Sequence, residues 1–323
     1  MSSPVLERLD PTVAARAESA AVRAAARAQV QVLELTSPTD LNRAAALLTE
    51  IWRSAPEDSP MSAHLMRAIG YTGGFVYGAY AEDGELLGVS VGFLSEGDPL
   101  ALHSHISGVD TRAQGRGLGF ALKLRQRAWA LGRGIESITW TFDPLVRRNA
   151  LFNIVKLGAR VEHYLTDFYG SMHDGLNNGD ESDRLFVRWS LSEHSVELAA
   201  DGSRPAAADG SPRAAVDGSR PAAVDGPPRS AADRARLDEA ASFVLSVEPD
   251  GRPRIGDGPV VGVGPRICQI PPDIERLRVV SPRHALEWRH AVRAVLGGAL
   301  EDGSAIDGFH RSGAYLLVPK EHR

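Results

Sequence analysis

The chain of 323 residues has a single cysteine, Cys268. An intrachain disulfide and a zinc cluster built on cysteines are therefore both excluded. The sequence also lacks an apolar run of about 18 residues, so we expect no membrane span. Its net charge of −5 gives no indication of a nucleic-acid partner or of binding to a membrane surface. A reducing, cytoplasmic location fits this composition.

Composition divides the chain into four parts. Residues 1–29 are rich in Ala and Arg and lack the continuous apolar core of a signal peptide, so we expect a flexible extension that is poorly ordered or loosely helical. Residues 30–192 carry regular helix and strand patterns. Residues 193–235 include four octads that begin with Asp-Gly, and they are predicted to be a disordered low-complexity linker. Residues 236–323 are patterned again and are expected to form a small α+β segment that packs on the first domain.

A glycine-rich turn is the most informative stretch of the first domain. The apolar run Ala101–Val109 predicts a strand before it, and Phe120–Leu131 predicts a helix after it. Backbone N–H groups at a helix N-terminus lack acceptors and attract anions, and glycine lets the backbone come close to a phosphate. A purely structural turn is the alternative. The candidate anion-binding residues are Gln114, Gly115, Arg116, Gly117, Leu118 and Gly119.

Two common phosphate loops do not fit this turn. A P-loop needs Lys followed by Ser or Thr after its last glycine, and here Phe120 follows. A dinucleotide fingerprint has the spacing Gly-x-Gly-x-x-Gly at the first strand–helix turn. The turn here has the spacing Gly-x-Gly-x-Gly, and about three strands are predicted before the one that leads into it.

The helix after the turn is predicted to have one apolar face and one solvated face. Leu124 lies on the apolar face, whereas Lys123, Gln126 and Arg127 lie on the opposite one. Arg125 falls inside the apolar arc. We expect its stem to lie along apolar surface while its charge reaches water.

The predicted order of elements over residues 30–191 is β-α-α-β-β-β-α-β-α-β-β. With this order, the pattern Gln114-x-x-Gly117-x-Gly119 after the fourth strand resembles motif A of the GNAT (N-acetyltransferase) superfamily. The stretch from Asn149 to Gly158 resembles motif B of the same family. The resemblance covers about half of the chain. It implies an α/β fold (α+β in some schemes) with a mixed central sheet flanked by helices, followed by a C-terminal extension.

The resemblance also implies a ligand, acetyl-CoA or another acyl-CoA, whose pyrophosphate the glycine turn would hold. Backbone N–H groups near Gly108 and Val109 would polarise the thioester carbonyl. Asn149 would help to hold the coenzyme arm, unless it simply caps its helix. No metal is expected, because two neighbouring histidines on a strand are too few ligands.

The proton transfers need side chains. His103 and His105 lie two apart on the predicted fourth strand and so share a face, and an imidazole suits removal of a proton from an amine. Structural histidines are the alternative, and Asp143 is a weaker candidate base. At the position where the family has its acid tyrosine this chain has Ile154, so Tyr164, Tyr169 or water would have to protonate the thiolate.

Arg147 and Arg148 are candidates for binding a coenzyme phosphate or a carboxylate on the acyl chain or the acceptor. A solvated charge pair is the alternative. With its extra C-terminal segment, the chain resembles a distinct subgroup of the GNAT superfamily. Some members of that subgroup are similar to amino-acid N-succinyltransferases. The sequence therefore predicts an N-acyltransferase that moves an acetyl or succinyl group to the amine of a small molecule, for which an amino acid is one candidate. A catalytically silent module that binds acyl-CoA is the alternative, and either is compatible with a homodimer.

Overall fold

The computed structural model describes residues 11–96, 100–170, 175, 179–202, 242–256 and 264–319. Contacts divide them into two compact units. The first unit contains the described residues up to 140 together with 190–202. The second contains the described residues of 141–189 and of the C-terminal segment from 242 onwards. Among these residues, no helix combines the length and apolar character that crossing a membrane requires.

The elements follow one another in a mixed order of helices and strands. The first part of the chain forms α1 (Pro11–Arg27), β1 (Gln31–Glu34), α2 (Pro38–Trp52), α3 (Ala63–Tyr71), β2 (Phe75–Tyr80), β3 (Leu86–Ser95), β4 (Ala101–Val109), α4 (Leu118–Leu131) and β5 (Ser137–Phe142). The chain then forms α5 (Arg147–Ala150), a π-helical turn (Leu151–Lys156), β6 (Arg160–Leu165), β7 (Arg184–Ser190) and α6 (His194–Asp201).

The C-terminal segment adds strands and helices of its own. They are β8 (Ser242–Val247), β9 (Pro253–Ile255), β10 (Arg266–Gln269), α7 (Ile274–Val280), α8 (Pro282–Val292), a second π-helical turn (Arg293–Gly297), α9 (Gly298–Glu301), β11 (Ala305–His310) and β12 (Ala314–Val318). These strands form a sheet in the order β11-β12-β10-β8-β9, in which only β10 and β8 run parallel.

The first sheet has seven strands in the order β1-β2-β3-β4-β5-β7-β6. Strands β1 to β4 form an antiparallel meander, β6 and β7 pair antiparallel, and β4 runs parallel to β5. This mixed sheet with helices packed on it confirms the predicted fold class. The predicted order of elements between β1 and β7 is also confirmed.

Helix α2 forms for local reasons and then supplies core. The Ser37 hydroxyl accepts a hydrogen bond from the backbone N–H of Asp40 at 3.1 Å, and Pro38 occupies the first helical position. Leu41 and Leu48 recur on one face and are buried against Ile106 of β4. The helix thus covers one face of the strand that leads into the glycine turn.

The N-terminal extension differs from its prediction. Residues 11–27 form helix α1 rather than a flexible extension, and α1 packs on α4. Alanine is the best helix former, and a stripe of small side chains allows two helices to approach closely. The sequence offers no large apolar residue that would have signalled this burial. The buried alanines are Ala17, Ala20, Ala21 and Ala24.

The predicted faces of α4 are wrong. Lys123, Gln126 and Arg127 are buried rather than solvated. Arg125, which was expected to extend into water alone, pairs with Glu18 of α1 through two contacts of 2.8 Å. A helical wheel assumes that one face meets solvent, whereas α4 is covered by the sheet on one side and by α1 on the other.

The predicted linker is helical at its start. Within residues 193–235, residues 194–201 form α6, whose Glu197 and Asp201 pair with Arg16 and Arg23 of α1 at 3.1 and 2.6 Å. The octads lie almost entirely outside the described residues. The predicted domain boundaries also differ from the contact units, since residues 141–189 group with the C-terminal segment.

Candidate active site

Strand β4 parts from β5 soon after it begins. Among the described residues, the two strands pair only at Leu102–Ile138 and His103–Thr139. The rest of β4 continues to pair with β3 on its other side. An opening is thereby left along the β5 side of β4, over its last residues.

The backbone N–H groups that face this opening follow from the strand pairing. The N–H of Asp110 donates to the carbonyl oxygen of Leu87 in β3 at 2.8 Å. Because N–H groups alternate along a strand, those of Val109 and Ser107 point away from β3. Of the two predicted oxyanion donors, Val109 therefore has the favourable direction, whereas the N–H of Gly108 points towards β3.

Gly108 has a steric role instead. A Cβ at this position would lie 2.8 Å from Cζ3 of Trp52 and 2.9 Å from Cδ1 of Ile51. Both side chains belong to α2. The missing side chain therefore allows α2 to pack closely on the end of β4.

A β-bulge lies in the middle of β4. Val91 of β3 pairs with Ile106, but the next residue, Gly92, pairs with Ser104. His105 is therefore the extra residue of the bulge, and its side chain is exposed. Bulges re-aim side chains, and this one turns a histidine outwards next to the opening beside β5.

The two histidines are neighbours, as their spacing predicts. Their ring centroids lie 6.4 Å apart, and the Phe93 ring lies 5.4 Å from His103 and 5.6 Å from His105. His103 is half-buried, and its Nδ1 lies 3.1 Å from the Thr139 hydroxyl. His103 therefore has a hydrogen-bond partner within the sheet, as expected for a structural histidine.

The two imidazoles differ as bases. Burial, with the nearby His105 and Lys123, lowers the pKa of His103 to about 4. His105 keeps an exposed surface, and desolvation of the rest of its ring by neighbouring atoms lowers its pKa from the usual value. Both rings are therefore neutral at pH 7 and can accept a proton. A group with a pKa near 4 is a weak base, so His105 is the better candidate.

The glycine turn presents a row of donors. Gly115 and Gly117 have φ angles of 81° and 87°, a region that side chains other than glycine rarely adopt, and Gly117 is the N-cap of α4. In the part of the chain that the structure describes, no backbone N–H from Gly115 to Gly119 donates a hydrogen bond to a backbone carbonyl oxygen. These N–H groups lie at the positive end of the α4 dipole. Their arrangement fits a bound phosphate or pyrophosphate.

The turn is held in place by an ion cluster at its start. The carboxylate of Asp110 accepts from the backbone N–H of Arg112 at 2.8 Å and from its Nη2 at 2.6 Å. Nη2 of Arg112 also contacts Glu85 at 2.9 Å. The hydrogen bond from Arg112 lowers the pKa of Asp110, so this carboxylate stays ionised at neutral pH. The turn is therefore organised by the chain itself.

The other predicted site residues lie in the second unit. Asp143 is buried, and its two carboxylate oxygens accept from Arg289 at 2.8 and 2.9 Å and from Arg278 at 2.5 Å. Burial opposes ionisation, but the two guanidinium groups outweigh it and hold the pKa of Asp143 well below its usual range. A carboxylate bound in this way is a poor base, so the structure does not favour Asp143 for proton removal.

Tyr164 is similarly engaged. Its hydroxyl donates to Oδ2 of Asp183 at 2.6 Å. Burial and the charge of Asp183 raise the pKa of Tyr164 well above its usual value. Ile154, at the position of the family tyrosine, is buried in the π-helical turn. Neither position offers a free proton donor.

The predicted binding residues just before motif B, Arg147 and Arg148, also have internal contacts. The Arg147 guanidinium donates to the backbone carbonyl oxygens of Ile270 and Pro271 at 2.6 and 2.9 Å, and Arg148 pairs with Glu275. Both arginines therefore connect residues 141–189 with the C-terminal segment inside the second unit. Their roles in binding a substrate stay predictions.

Asn149 is the third residue of α5, and Val146 is the N-cap. The capping alternative for Asn149 is therefore wrong. Its role in holding the coenzyme stays a prediction.

Two buried polar residues were missed by the sequence reasoning. Lys123 and Gln126 of α4 lie against serines of β3 and β4. The helical wheel assigned both to solvent. The available signal was the presence of Ser90, Ser104 and Ser107 in strands that are otherwise apolar. Within the described residues, no group of three or more His, Cys, Asp or Glu side chains could hold a metal ion.

Comparisons with known proteins give structural similarity only. No family model matches the chain, and no curated protein matches it. Naa20 from Chaetomium thermophilum, solved with a bisubstrate analogue, is 18% identical; the match covers 54% of this chain and 90% of that one, with a TM-score of 0.43. A putative acetyltransferase from Salmonella typhimurium, solved with acetyl-CoA, is 16% identical, with coverages of 52% and 96% and a TM-score of 0.41. An acetyltransferase of the GNAT family from Streptococcus pneumoniae is 13% identical, with coverages of 49% and 98% and a TM-score of 0.40.

The chain itself shows the fold. The order of elements from β1 to β7, the parallel pair β4–β5 and the glycine turn between β4 and α4 are those of a GNAT fold. The predicted resemblance is thus confirmed at the level of the fold.

Proposed function

We propose that the protein is an acyl-CoA-dependent N-acyltransferase that acts on the amine of a small molecule, for which an amino acid is one candidate. The observation that carries this proposal is the row of N–H groups from Gly115 to Gly119, placed directly after a strand that parts from its neighbour. Such a row fits a pyrophosphate. The opening beside β4 gives the rest of an extended thioester a place next to His105.

The reaction then uses few side chains. Acyl-CoA supplies a thioester whose carbonyl carbon accepts the amine nitrogen. The N–H groups of Val109 and Ser107 are positioned to donate to the oxygen as it gains charge. His105 takes a proton from the ammonium group, so that the nitrogen can form the new amide bond while the carbon–sulfur bond breaks. The nitrogen loses its second proton as the amide forms, and water passes this proton to the leaving thiolate, because Tyr164 is bound to Asp183.

The acyl group is proposed to be acetyl rather than succinyl. A succinyl group carries a carboxylate and calls for a cation beside it. The two arginines predicted for that task are engaged, Arg147 with backbone carbonyl oxygens and Arg148 with Glu275. These contacts support a small, uncharged acyl chain.

A catalytically silent acyl-CoA module is the second candidate. It is favoured by Ile154 at the position of the acid tyrosine and by the engaged hydroxyl of Tyr164. Thiol release separates the two functions. The enzyme consumes acetyl-CoA faster when a suitable amine is added, whereas the silent module binds the thioester and releases no thiol with any amine of a broad panel.

Binding of the coenzyme is tested with a matched pair of variants. Gly117 and Gly134 flank α4, have positive φ angles of 87° and 74°, and have nothing within 4 Å of an added Cβ. We expect Gly117→Leu to abolish CoA binding in calorimetry, because the new side chain enters the anion site. Gly134→Leu carries a similar backbone strain and should keep the affinity. Equal affinities in the two variants, or binding of NAD or ATP in place of CoA, would reject the assignment of the loop.

A further inference from the structure

A polar network lies between α4 and the sheet of the first unit, and all its members except the exposed Ser107 are buried. Nζ of Lys123 donates to the Ser104 hydroxyl at 2.9 Å. Nε2 of Gln126 donates to the same hydroxyl and to that of Ser90, both at 3.0 Å. Ser90 in turn lies 2.6 Å, oxygen to oxygen, from Ser107. Two neighbouring turns of α4 therefore contact β4 at two points, one directly and one through β3.

These two points flank the bulge. Ser104 precedes His105, and Ser107 follows Ile106. In a regular strand, residues three apart point to opposite faces. Ser104 and Ser107 reach the same network only because the bulge adds one residue between them. The network and the bulge therefore require each other.

The network is costly to maintain. Lys123 is buried, no carboxylate of the described residues contacts it, and its ammonium group lies 3.8 Å from the centre of the Trp140 ring. Oε1 of Gln126 is buried and has no hydrogen-bond partner among the described residues. A buried polar group without a partner costs about 1–3 kcal/mol, and apolar side chains could fill this space more favourably. Stability alone does not account for these two residues.

We propose that Gln126 and Lys123 are positioning residues, which hold the β4 bulge and thereby His105 in the orientation needed for acyl transfer. The inference rests on the proposed function. It adds that α4 has two tasks. Its N-terminus holds the donor, and its second and third turns hold the strand that carries the base.

The main test is Gln126→Leu, which removes both amide donors and keeps a similar volume. We expect kcat for thiol release from acetyl-CoA, with the best amine of the panel, to fall by about tenfold or more, because misplacing a base by about 1 Å is enough for such a loss. The KM for acetyl-CoA and the calorimetric Kd for CoA should stay within about twofold of wild type, because Gly115–Gly119 are unchanged. A second variant, Gln126→Met, also removes the donating nitrogen without adding a charge, and it should show the same split if the leucine variant folds poorly.

The next residue on α4 gives a matched control. Arg127 is also buried, and its Nε donates to the carbonyl oxygen of Leu191 at 2.9 Å, away from the bulge. Arg127→Met should lower the melting temperature and leave kcat per folded molecule unchanged. A similar loss of kcat in Arg127→Met would mean that any damage to α4 lowers turnover, and the proposal would fall.

A spectroscopic readout separates this inference from the proposed function. In protein with ¹⁵N-labelled histidine, the imidazole signals of His105, assigned by His105→Gln, should shift in Gln126→Leu and stay in place in Arg127→Met. An unchanged His105 signal, or a shifted signal with wild-type kcat, would overturn the positioning role while leaving the enzyme intact. If wild-type protein neither binds CoA nor releases thiol, the proposed function itself fails, and the role in acyl transfer fails with it.

Discussion

Replacing Lys123 by methionine should change how the stability of the protein depends on pH. Burial lowers the pKa of Lys123 to about 7, from an ordinary value of 10.5. The unfolded chain therefore binds a proton at Lys123 between about pH 7 and 10.5, and the folded chain does not. The contribution of Lys123 to the free energy of unfolding is therefore highest above pH 10.5, decreases as the pH falls, and becomes constant below about pH 7.

The size of the effect follows from the same two values. A shift of this kind corresponds to roughly 5 kcal/mol in total, at about 1.4 kcal/mol for each pKa unit. Between pH 6 and pH 9, the free energy of unfolding of the wild type should increase by roughly 2–3 kcal/mol relative to Lys123→Met. The free energy of unfolding of Lys123→Met should exceed that of the wild type by the largest amount below pH 7, because methionine binds no proton and fills a similar volume.

The assay is urea unfolding of both proteins at several pH values, followed by circular dichroism. Taking the difference between the two proteins removes the contribution of the titrating groups that Lys123 does not perturb. Lys123 is one cause of the lowered pKa of His103, but above about pH 7.5 that imidazole is neutral in the folded and the unfolded chain, so it contributes only at the acid end of the range. A difference that stays constant from pH 6 to pH 9 would show that Lys123 keeps its ordinary pKa. It would also remove one of the two reasons for calling the network costly and leave the other, the buried Oε1 of Gln126.

Three further variants test individual residues. His105→Ala should lower kcat by about 10²–10⁴-fold, as for loss of a general base, and keep the calorimetric affinity for CoA; equal turnover would remove His105 as the base. Gly108→Ala should destabilise the protein by about 1–3 kcal/mol in urea unfolding, because its Cβ would press on Trp52; an unchanged midpoint would reject the close approach of α2. Asp143→Asn should cost about 3–5 kcal/mol, because Arg289 and Arg278 then lose the charge of Asp143 and keep the carboxylate of Asp180, and turnover per folded molecule should persist; a loss of turnover would restore Asp143 as a base.

The strand–turn–helix around Gly117 could be predicted from the sequence because its signals are local. Glycines, an apolar strand and a helix start lie next to one another in the chain, and each depends on short-range sterics. The spacing of His103 and His105 also predicted neighbouring rings. The rings are neighbours in the structure. The bulge between them could not be predicted, because the pattern of apolar residues does not reveal where a strand has an extra residue.

The errors concern contacts between elements that are distant in the chain. The solvated face assigned to α4 was wrong because the sequence does not show that β3 and β4 offer serines to Lys123 and Gln126. Helix α1 was taken for a flexible extension because alanines carry no strong apolar pattern, although their small size is what lets two helices pack closely. Both errors come from partners that only the folded chain brings together.

The segment just before motif B, residues 143–148, uses its charged residues for contacts inside the second unit. Asp143 binds Arg278 and Arg289 of the C-terminal helices, and the cluster continues through Asp180 to Asp183 and Arg293. Carboxylates and guanidinium groups alternate in it, so most of the charge is balanced inside the protein. Ionic groups that are paired in this way are expensive to release. The residues of 143–148 are thus committed to holding the C-terminal segment, and the proton transfer of the proposed reaction is left to His105 of the first unit.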